Sequence, residues 1–363
     1  RPALVAARER LVACEIRADS FSRELYATDA SAYEVTPIAV AFPESTADVA
    51  GILEYCAERE IPVLPRGGGT SLAGQTVNRA VVLDFTRHMN EIRAIDPDDR
   101  TATVQSGTIV GTLNEALAPH DLKFAPDPAW RDKSAIGGAI GNNSTGAHSL
   151  KYGKTDAYIE EVEAVLADGT VTRFGEVTRE ELSERADPDG DLEGRIYAEV
   201  ERILAEDADL IDETYPDLKR NVSGYNLDRL VAEARGDELP GGEETGEPGT
   251  VNLARLLAGS EGTLAVVTEA TVSLEPVPET KAVTLLCYPD LHTAMCDVEP
   301  ILEHDPAAVE VLDDVLIDLA RDTAEFGPVT EILPEGTNAV LLVEFYAEDD
   351  AHGKEQVAGL LAD

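Results

Sequence analysis

Apolar positions at helical spacing (Val49, Ile52, Leu53, Cys56) follow directly on Ser45-Thr46-Ala47-Asp48, a capping sequence, so a helix is predicted there. Short apolar runs predict strands over Ile61–Leu64, Val81–Asp84, Ile92–Ile95 and Thr101–Gln105, with a helix over Ile109–Leu117. Asp168-Gly169 between Ile159–Leu166 and Thr170–Arg173 is a hairpin signal. Residues 178–215 read as acidic helix and 236–249 as loop. Leu253–Leu257 reads as a short helix, Gly259–Gly262 as a turn and Leu264–Leu274 as a strand. Residues 1–30 carry a mixed, helical pattern. After Pro276 and Pro278, strand and helix patterns alternate again: Ala282–Tyr288, Leu291–Leu302, Val309–Leu312, Val315–Arg321, Ala339–Tyr346 and Lys354–Leu361. The class predicted is α+β, with a domain boundary near the two prolines.

One long stretch fits neither period. Residues 125–155 are rich in Gly, Asn and Ser and too long for a plain connector. With 65–75 and 259–263 they make three polar, glycine-rich segments, each beside a predicted strand or helix end. Consecutive glycines let successive backbone N–H groups converge on one point, which makes an anion nest. Tight turns alone would explain Gly74, Gly111 or Gly169. They are the weaker explanation for a Gly67-Gly68-Gly69 triplet joined by Gly137-Gly138 and Gly141 to Gly146, because clustered glycine carries an entropic cost.

Familiar nucleotide motifs fail on spacing. A dinucleotide fingerprint from Gly67 needs glycine at residue 72, which is Leu72. A phosphate loop ending at Gly153-Lys154-Thr155 needs glycine at His148, and a hydrolase elbow at Ser144 needs glycine at Asn142. Cys14, Cys56, Cys287 and Cys296 form no C-x-x-C pair, and Cys56 reads as a small buried thiol. His292 and Cys296 lie four apart, but no second ligand pair joins them, so no metal site is expected within the chain.

Charge narrows the partners. The 363 residues carry 71 acidic and 29 basic side chains, a net charge of −42, and 43% are hydrophobic, enough for a core. Nucleic acid is excluded, since no basic face is available to neutralise phosphates. No apolar run approaches the ~20 residues of a membrane span, and no signal peptide opens the chain. A cytoplasmic protein is expected, with peripheral membrane attachment left open and oligomeric state unmarked. Only seven of the 29 basic residues are Lys. So acidic a surface repels itself unless screened, and at ~1 M salt the screening length shrinks to about 3 Å. A salt-loaded cytoplasm is therefore expected.

The glycine segments carry a family resemblance. PRGGGTSLAGQ (65–75) resembles the pyrophosphate loop of FAD-binding flavoenzymes of the vanillyl-alcohol-oxidase type, the PCMH fold. FAPDPAWRDKSAIGGAIGNNSTGAHSLKYGKT (124–155) and GSEGTLAVVTEATVSLEPVP (259–278) resemble its other two FAD-contacting stretches. Within that family the likeness is to D-lactate, glycolate and D-2-hydroxyglutarate dehydrogenases, including long members fused to an iron–sulfur domain. The resemblance implies a helical segment over 1–35, a two-subdomain FAD-binding domain over 36–278, and part of an α+β cap (substrate) domain over 279–363. Arg1 as first residue and a helix running to Asp363 read as an excised piece.

By the same resemblance, Arg66, Gly67, Gly68, Gly69, Thr70 and Ser71 cradle the FAD diphosphate through backbone N–H groups. Asp127, Pro128 and Ser134 line the flavin and ribityl side, where Gly137 and Gly138 permit close approach. Asn142, Ser144, Gly146, His148 and Ser149 border the isoalloxazine and phosphates, while Glu261, Gly262 and Val267 hold the adenosine end. Thr70 stands where some relatives have a flavin-linking His, so the FAD is expected to be non-covalent. The implied reaction is oxidation of a D-2-hydroxy acid by hydride transfer to flavin N5. The electrons pass to a non-NAD acceptor: an iron–sulfur domain, a quinone or another carrier. Any iron–sulfur cluster or metal belongs to regions beyond this chain, as do the family's substrate histidines and carboxylate-binding Arg, and no catalytic residue is nominated. The alternatives are an NADPH-dependent reductase of the same fold, or an FAD-binding fragment inactive in isolation.

The charge reading has a direct check. The melting temperature is expected to climb steadily from low salt to molar potassium chloride, and a flat curve would reject a salt-adapted surface.

Overall fold

A computed structural model describes residues 12–240, 242–246 and 248–362. It divides into two compact units, one running to Ser144 and resuming over Lys154–Glu275, the other made of Thr145–Gly153 and the residues from Pro276 on.

The first unit contains two main sheets. One has four strands in the order Glu15–Arg17, Ala39–Phe42, Val81–Asp84, Val63–Arg66. The last three are parallel, and the first pairs antiparallel with Ala39–Phe42. AVAF and VVLD are buried at every position, as strands covered on both faces must be. The helix Thr46–Ala57 crosses between two of them. Its N-cap Ser45 accepts from the Asp48 N–H, and Val49, Ile52, Leu53 and Cys56 enter the core beside Ala39, Ala41, Val81 and Leu83. Burial pushes the Cys56 thiol up to about 11, which makes it an inert packing group. The other sheet has five antiparallel strands in the order Ile92–Asp96, Thr101–Gln105, Val266–Ser273, Ile159–Val165, Val171–Phe174.

Several expectations shift. Residues 1–11 of the expected N-terminal helical segment lie outside the described residues. From Val12 on, that segment supplies the edge strand Glu15–Arg17 and one short helix, Ser20–Leu25. Residues 125–155 contain helices Ile136–Asn142 and Ser149–Tyr152. Leu291–Leu302 divides into Leu291–Cys296 and Val298–Leu302, since Pro300 cannot donate to the carbonyl one turn back.

The second unit has a three-stranded antiparallel sheet in the order Thr280–Tyr288, Ala339–Ala347, Ala308–Leu312. Helices contribute Ala294, Ile301 and Leu360 to a core with Leu341, Val343 and Phe345.

A charged core sits inside the first unit. Arg229, on the helix Leu227–Arg235, is 2% exposed and places Nε 3.0 Å from Asp156, itself 0% exposed. Lys154 reaches the same carboxylate at 3.1 Å, and Glu243 accepts from Arg229 at 2.6 Å. Burial opposes the charge on Asp156, but Arg229 and Lys154 outweigh it and hold the carboxyl below its ordinary range. Replacing Arg229 by Met leaves buried Asp156 with Lys154 alone and takes the partner from Glu243, so urea denaturation should show a loss of about 3–5 kcal/mol. Because the folded pKa of Asp156 is depressed, its contribution is complete above the unfolded aspartate value and lost as pH falls toward the folded one. The wild-type and Arg229→Met stability curves should therefore converge on the acid side.

Candidate functional site

The loop after strand Val63–Arg66 is anchored from behind by its own arginine. The Arg66 guanidinium donates to the carbonyls of Thr28 (2.8 Å) and Thr76 (3.1 Å) and lies 5.2 Å from the Tyr26 ring centroid. Burial lowers its pKa, against the opposing fields of Asp29, Tyr26 and Asp84. Tyr26 in turn donates to Asp84 at 2.5 Å, and burial together with that carboxylate pushes its hydroxyl pKa up. This side chain therefore sets the loop's path.

The glycines that follow are forced by contact. A Cβ on Gly68 would stand 1.7 Å from the Lys133 carbonyl, and one on Gly67 2.9 Å from the Ala135 side chain. Gly69 has φ +65°, with Arg66 directly beneath it. The 65–71 loop is thereby pressed onto residues 133–138, and Thr70 and Ser134 share a hydroxyl hydrogen bond of 3.2 Å. Gly137 fits over Ser106, to whose carbonyl it donates at 2.8 Å. Gly138 differs from these, since a Cβ there would meet nothing within 4 Å.

The third segment closes on the same place. Gly259 and Glu261 donate to the carbonyls of Ile140 (3.0 Å) and Gly141 (2.9 Å), and a Cβ on Gly262 would strike Pro65 at 2.5 Å. Gln75 ties all three together, its Nε2 donating to Asn142 (3.0 Å) and Glu261 (3.2 Å). Its Oε1 is buried and accepts no hydrogen bond.

The backbone of this junction is unusual in what it leaves open. None of the N–H groups of Gly67, Gly68, Gly69, Thr70 and Ser71 donates a hydrogen bond among the described residues. Five successive open donors at a half-exposed, glycine-lined junction form a cradle for an acceptor-rich group. The diphosphate of FAD has that chemistry, and the open side of Gly138 provides room. The residues present fit the cofactor.

The remaining predicted positions divide. Asn142 caps Ser144 through Nδ2 to Oγ at 3.1 Å. Val267 lies on the central strand of the five-stranded sheet, its carbonyl accepting from Ser106 Oγ. Asp127 (φ +37°) lies 3.9 Å from Arg131, and Pro128 is buried beside it in sequence. Gly146, His148 and Ser149 belong to the second unit, where His148 Nε2 lies 2.9 Å from Glu344.

Two contributors were missed in the sequence. Gln75 closed the quoted PRGGGTSLAGQ run without being nominated. Ser106-Gly107 forms a further turn, in which a Cβ on Gly107 would come within 2.1 Å of the Phe85 carbonyl. A strand, a glycine and a helix start succeed one another at Thr101–Gln105, Gly107 and Val110, and that succession was the available signal.

Comparison with known proteins names the arrangement. Residues 37–175 match the FAD binding domain family, and residues 277–363 match the C-terminal domain of FAD linked oxidases. The chain thus carries an FAD binding domain followed by an FAD linked oxidase C-terminal domain. It is 31% identical to D-2-hydroxyglutarate dehydrogenase of Pseudomonas putida over 96% of this chain and 34% of that protein. It is 34% identical to glycolate oxidase subunit GlcD of Bacillus subtilis over 89% of this chain and 54% of that protein. The chain thus spans between about a third and about half of the curated relatives it matches. Among solved structures, an alkyldihydroxyacetonephosphate synthase matches with TM-score 0.66 at 15% identity, covering 100% of this chain and 58% of that one, a likeness of fold. The α+β, PCMH-type FAD-binding fold and the FAD-oxidoreductase family expected from the glycine segments are therefore met. Among the described residues no helix is long and apolar enough to cross a membrane, and no group of His, Cys, Asp or Glu could hold a metal.

The packing of this chain makes Gly68 and Gly138 unequal. Gly68→Ala drives a methyl group into backbone and should cost about 2–4 kcal/mol in chemical denaturation, whereas Gly138→Ala should stay within about 0.5 kcal/mol.

Proposed function

We propose that the chain is the flavin-holding part of an FAD-dependent dehydrogenase that oxidises a D-2-hydroxy acid and hands the electrons to a non-NAD acceptor. One observation carries the cofactor half of this reading: five consecutive N–H groups, Gly67 to Ser71, without acceptors. In a chain of net charge −42, peptide dipoles hold a diphosphate without spending the scarce Lys and Arg. The substrate half is supported by relatives named for D-2-hydroxyglutarate and glycolate.

Residues divide the work as follows. Gly67 to Ser71 bind the diphosphate through their N–H groups, and Arg66 orients that loop from behind. Ser134, Gly137 and Gly138 line the ribityl and flavin side with Asp127 and Pro128. Asn142 and Ser144 belong to the flavin border, and Glu261, Gly262 and Val267 to the adenosine end. Gln75 joins this set, its buried Oε1 being an acceptor in want of a donor. Bound FAD supplies two-electron redox chemistry, accepting hydride from the carbon that bears the hydroxyl. Thr70 offers no nucleophile of the His type, so the cofactor is held without a covalent link. A cap domain from residue 279 on, and a cytoplasmic location in a salt-loaded cell, belong to the same proposal.

The full-length protein should purify yellow, with a flavin spectrum, and should reduce an artificial dye with 2-hydroxyglutarate, lactate or glycolate. Gly138→Leu fills the open side of the cradle and should release FAD while leaving the melting temperature of the flavin-free form unchanged. Colourless protein that ignores added FAD rejects the cofactor reading. Bleaching by NADPH, with no response to any hydroxy acid, rejects the dehydrogenase in favour of a reductase.

A further inference from the structure

The turn from Trp130 to Ser134 is fixed against the cradle from two sides. On one side, a Cβ on Gly68 would stand 1.7 Å from the Lys133 carbonyl, and Ser134 shares its hydroxyl bond with Thr70. On the other, the first turn of helix Val110–Leu117 is bonded to it. Val110 donates to the Ser134 carbonyl at 2.9 Å and Gly111 to the Arg131 carbonyl at 2.9 Å. Inside the turn, the N–H groups of Lys133 and Ser134 both donate to the Trp130 carbonyl at 2.8 Å. The exposed side chains of this turn are therefore carried by backbone that touches the Gly67–Ser71 loop, all within the first unit.

Charge decides which of them matters. A diphosphate is an anion, and peptide dipoles orient it without cancelling its net charge. The field of a chain of net charge −42 opposes its approach, so a cation beside the cradle lowers that cost. Within the first unit the glycine-rich segments (65–75, 124–144 and 259–263) carry three basic residues: Arg66, Arg131 and Lys133. Arg66 is committed behind the loop to the Thr28 and Thr76 carbonyls. Arg131 lies between two carboxylates, 3.9 Å from Asp127 and 3.7 Å from Asp132. The Lys133 ammonium makes no ion pair and no hydrogen bond among the described residues. Its Nζ lies 5.3 Å from the centroid of the Trp130 ring, a π face that holds an ammonium without neutralising it. The Trp130 ring is itself 54% exposed, so this cation stands where a ligand can reach it.

We propose that Lys133 is a further FAD-binding residue, its ammonium donating to an oxygen of the diphosphate held by the Gly67–Ser71 N–H groups, and that Trp130 positions it. The flexible four-carbon stem of lysine carries a compact charge with three donors, suited to serving a phosphate as a point charge. The site rests on the FAD reading given above and adds to it the positive charge that a backbone cradle lacks.

Titration of FAD into the full-length protein freed of flavin, followed by flavin fluorescence, tests this with Lys133→Met, Lys133→Arg, Trp130→Ala and Trp130→Phe. Both side chains are exposed, so the melting temperatures of the flavin-free forms should match the wild type. Lys133→Met should raise the Kd for FAD about tenfold at ~0.1 M potassium chloride. The gap from wild type should shrink to about twofold at ~1 M, where the screening length is about 3 Å. Lys133→Arg should keep most of the affinity. An unchanged Kd overturns the proposal, and so does a gap of equal size at both salt concentrations, which marks lost packing rather than lost charge. ADP, which has a diphosphate and no flavin, should compete with FAD and show the same salt-dependent loss. A loss confined to FAD would take the contact off the phosphates and overturn it. Trp130→Ala should weaken FAD about threefold, Trp130→Phe by less, and Trp130→Ala should add nothing in the Lys133→Met background. An equal loss in that background gives Trp130 a contact of its own and overturns its positioning role. Wild-type protein that binds no FAD at either salt concentration sinks the FAD reading itself, whereas wild-type binding matched by Lys133→Met sinks this site alone.

Discussion

The buried pairing of Arg229 with Asp156 is the constraint on which the first unit depends. A guanidinium at 2% exposure can exist only if its charge is matched on the spot. Asp156, Glu233 and Glu243 face Arg229, and Lys154 and Arg255 share two of those carboxylates. These side chains come from four pieces of chain. Glu233 accepts from the Asn252 N–H at 2.8 Å, Asn252 reaches the carbonyls of Ile159 and Glu160, and Arg255 reaches Ile159 again at 3.1 Å. Lys154 binds the Asn221 carbonyl at 2.9 Å. The helix 227–235, the 250–255 segment and the start of strand Ile159–Val165 are thus locked by one polar core.

That lock extends to the cofactor cradle. The Asp156 N–H donates to Asn143 Oδ1 at 3.0 Å, and Asn143 also donates to Asn226. Asn143 takes φ +46° as the residue that ends helix Ile136–Asn142, so its side chain pins the helix end from the far side. The other side of the helix is set by glycine contacts, with Gly67 and Gly68 against residues 133–135 and Gly137 against Ser106. Charge pairing and close backbone packing place one short helix between two loops, and the unpaired N–H groups of Gly67 to Ser71 open beside it. Rigid support of this kind is what lets backbone dipoles act on a ligand without reorganising first.

Most of the local structure was legible because it is written in short-range terms. The Ser45 cap and the apolar stripe after it, the Asp168-Gly169 turn and the buried runs AVAF and VVLD each depend on a few neighbouring residues. The glycine segments were legible for a related reason: a residue without a Cβ is retained where something comes too close for one. What came close was not legible. Gln75 meets Asn142 and Glu261, which lie 67 and 186 residues away. Glu15–Arg17 became a strand because Ala39–Phe42 offered it an edge, and its own spacing carries no such instruction.

The sequence alone determined the family resemblance and its three glycine-rich segments, since motif order and glycine placement are one-dimensional facts. It also determined the charge, and with it a cradle built from peptide dipoles. Tertiary structure alone decided that the Arg66 side chain turns back into the protein, that one arginine is buried among carboxylates, and that residues 145–153 join the second unit. Each of those outcomes is a pairing across long sequence separation. Its energy depends on distance and burial, and neither exists until the chain has folded.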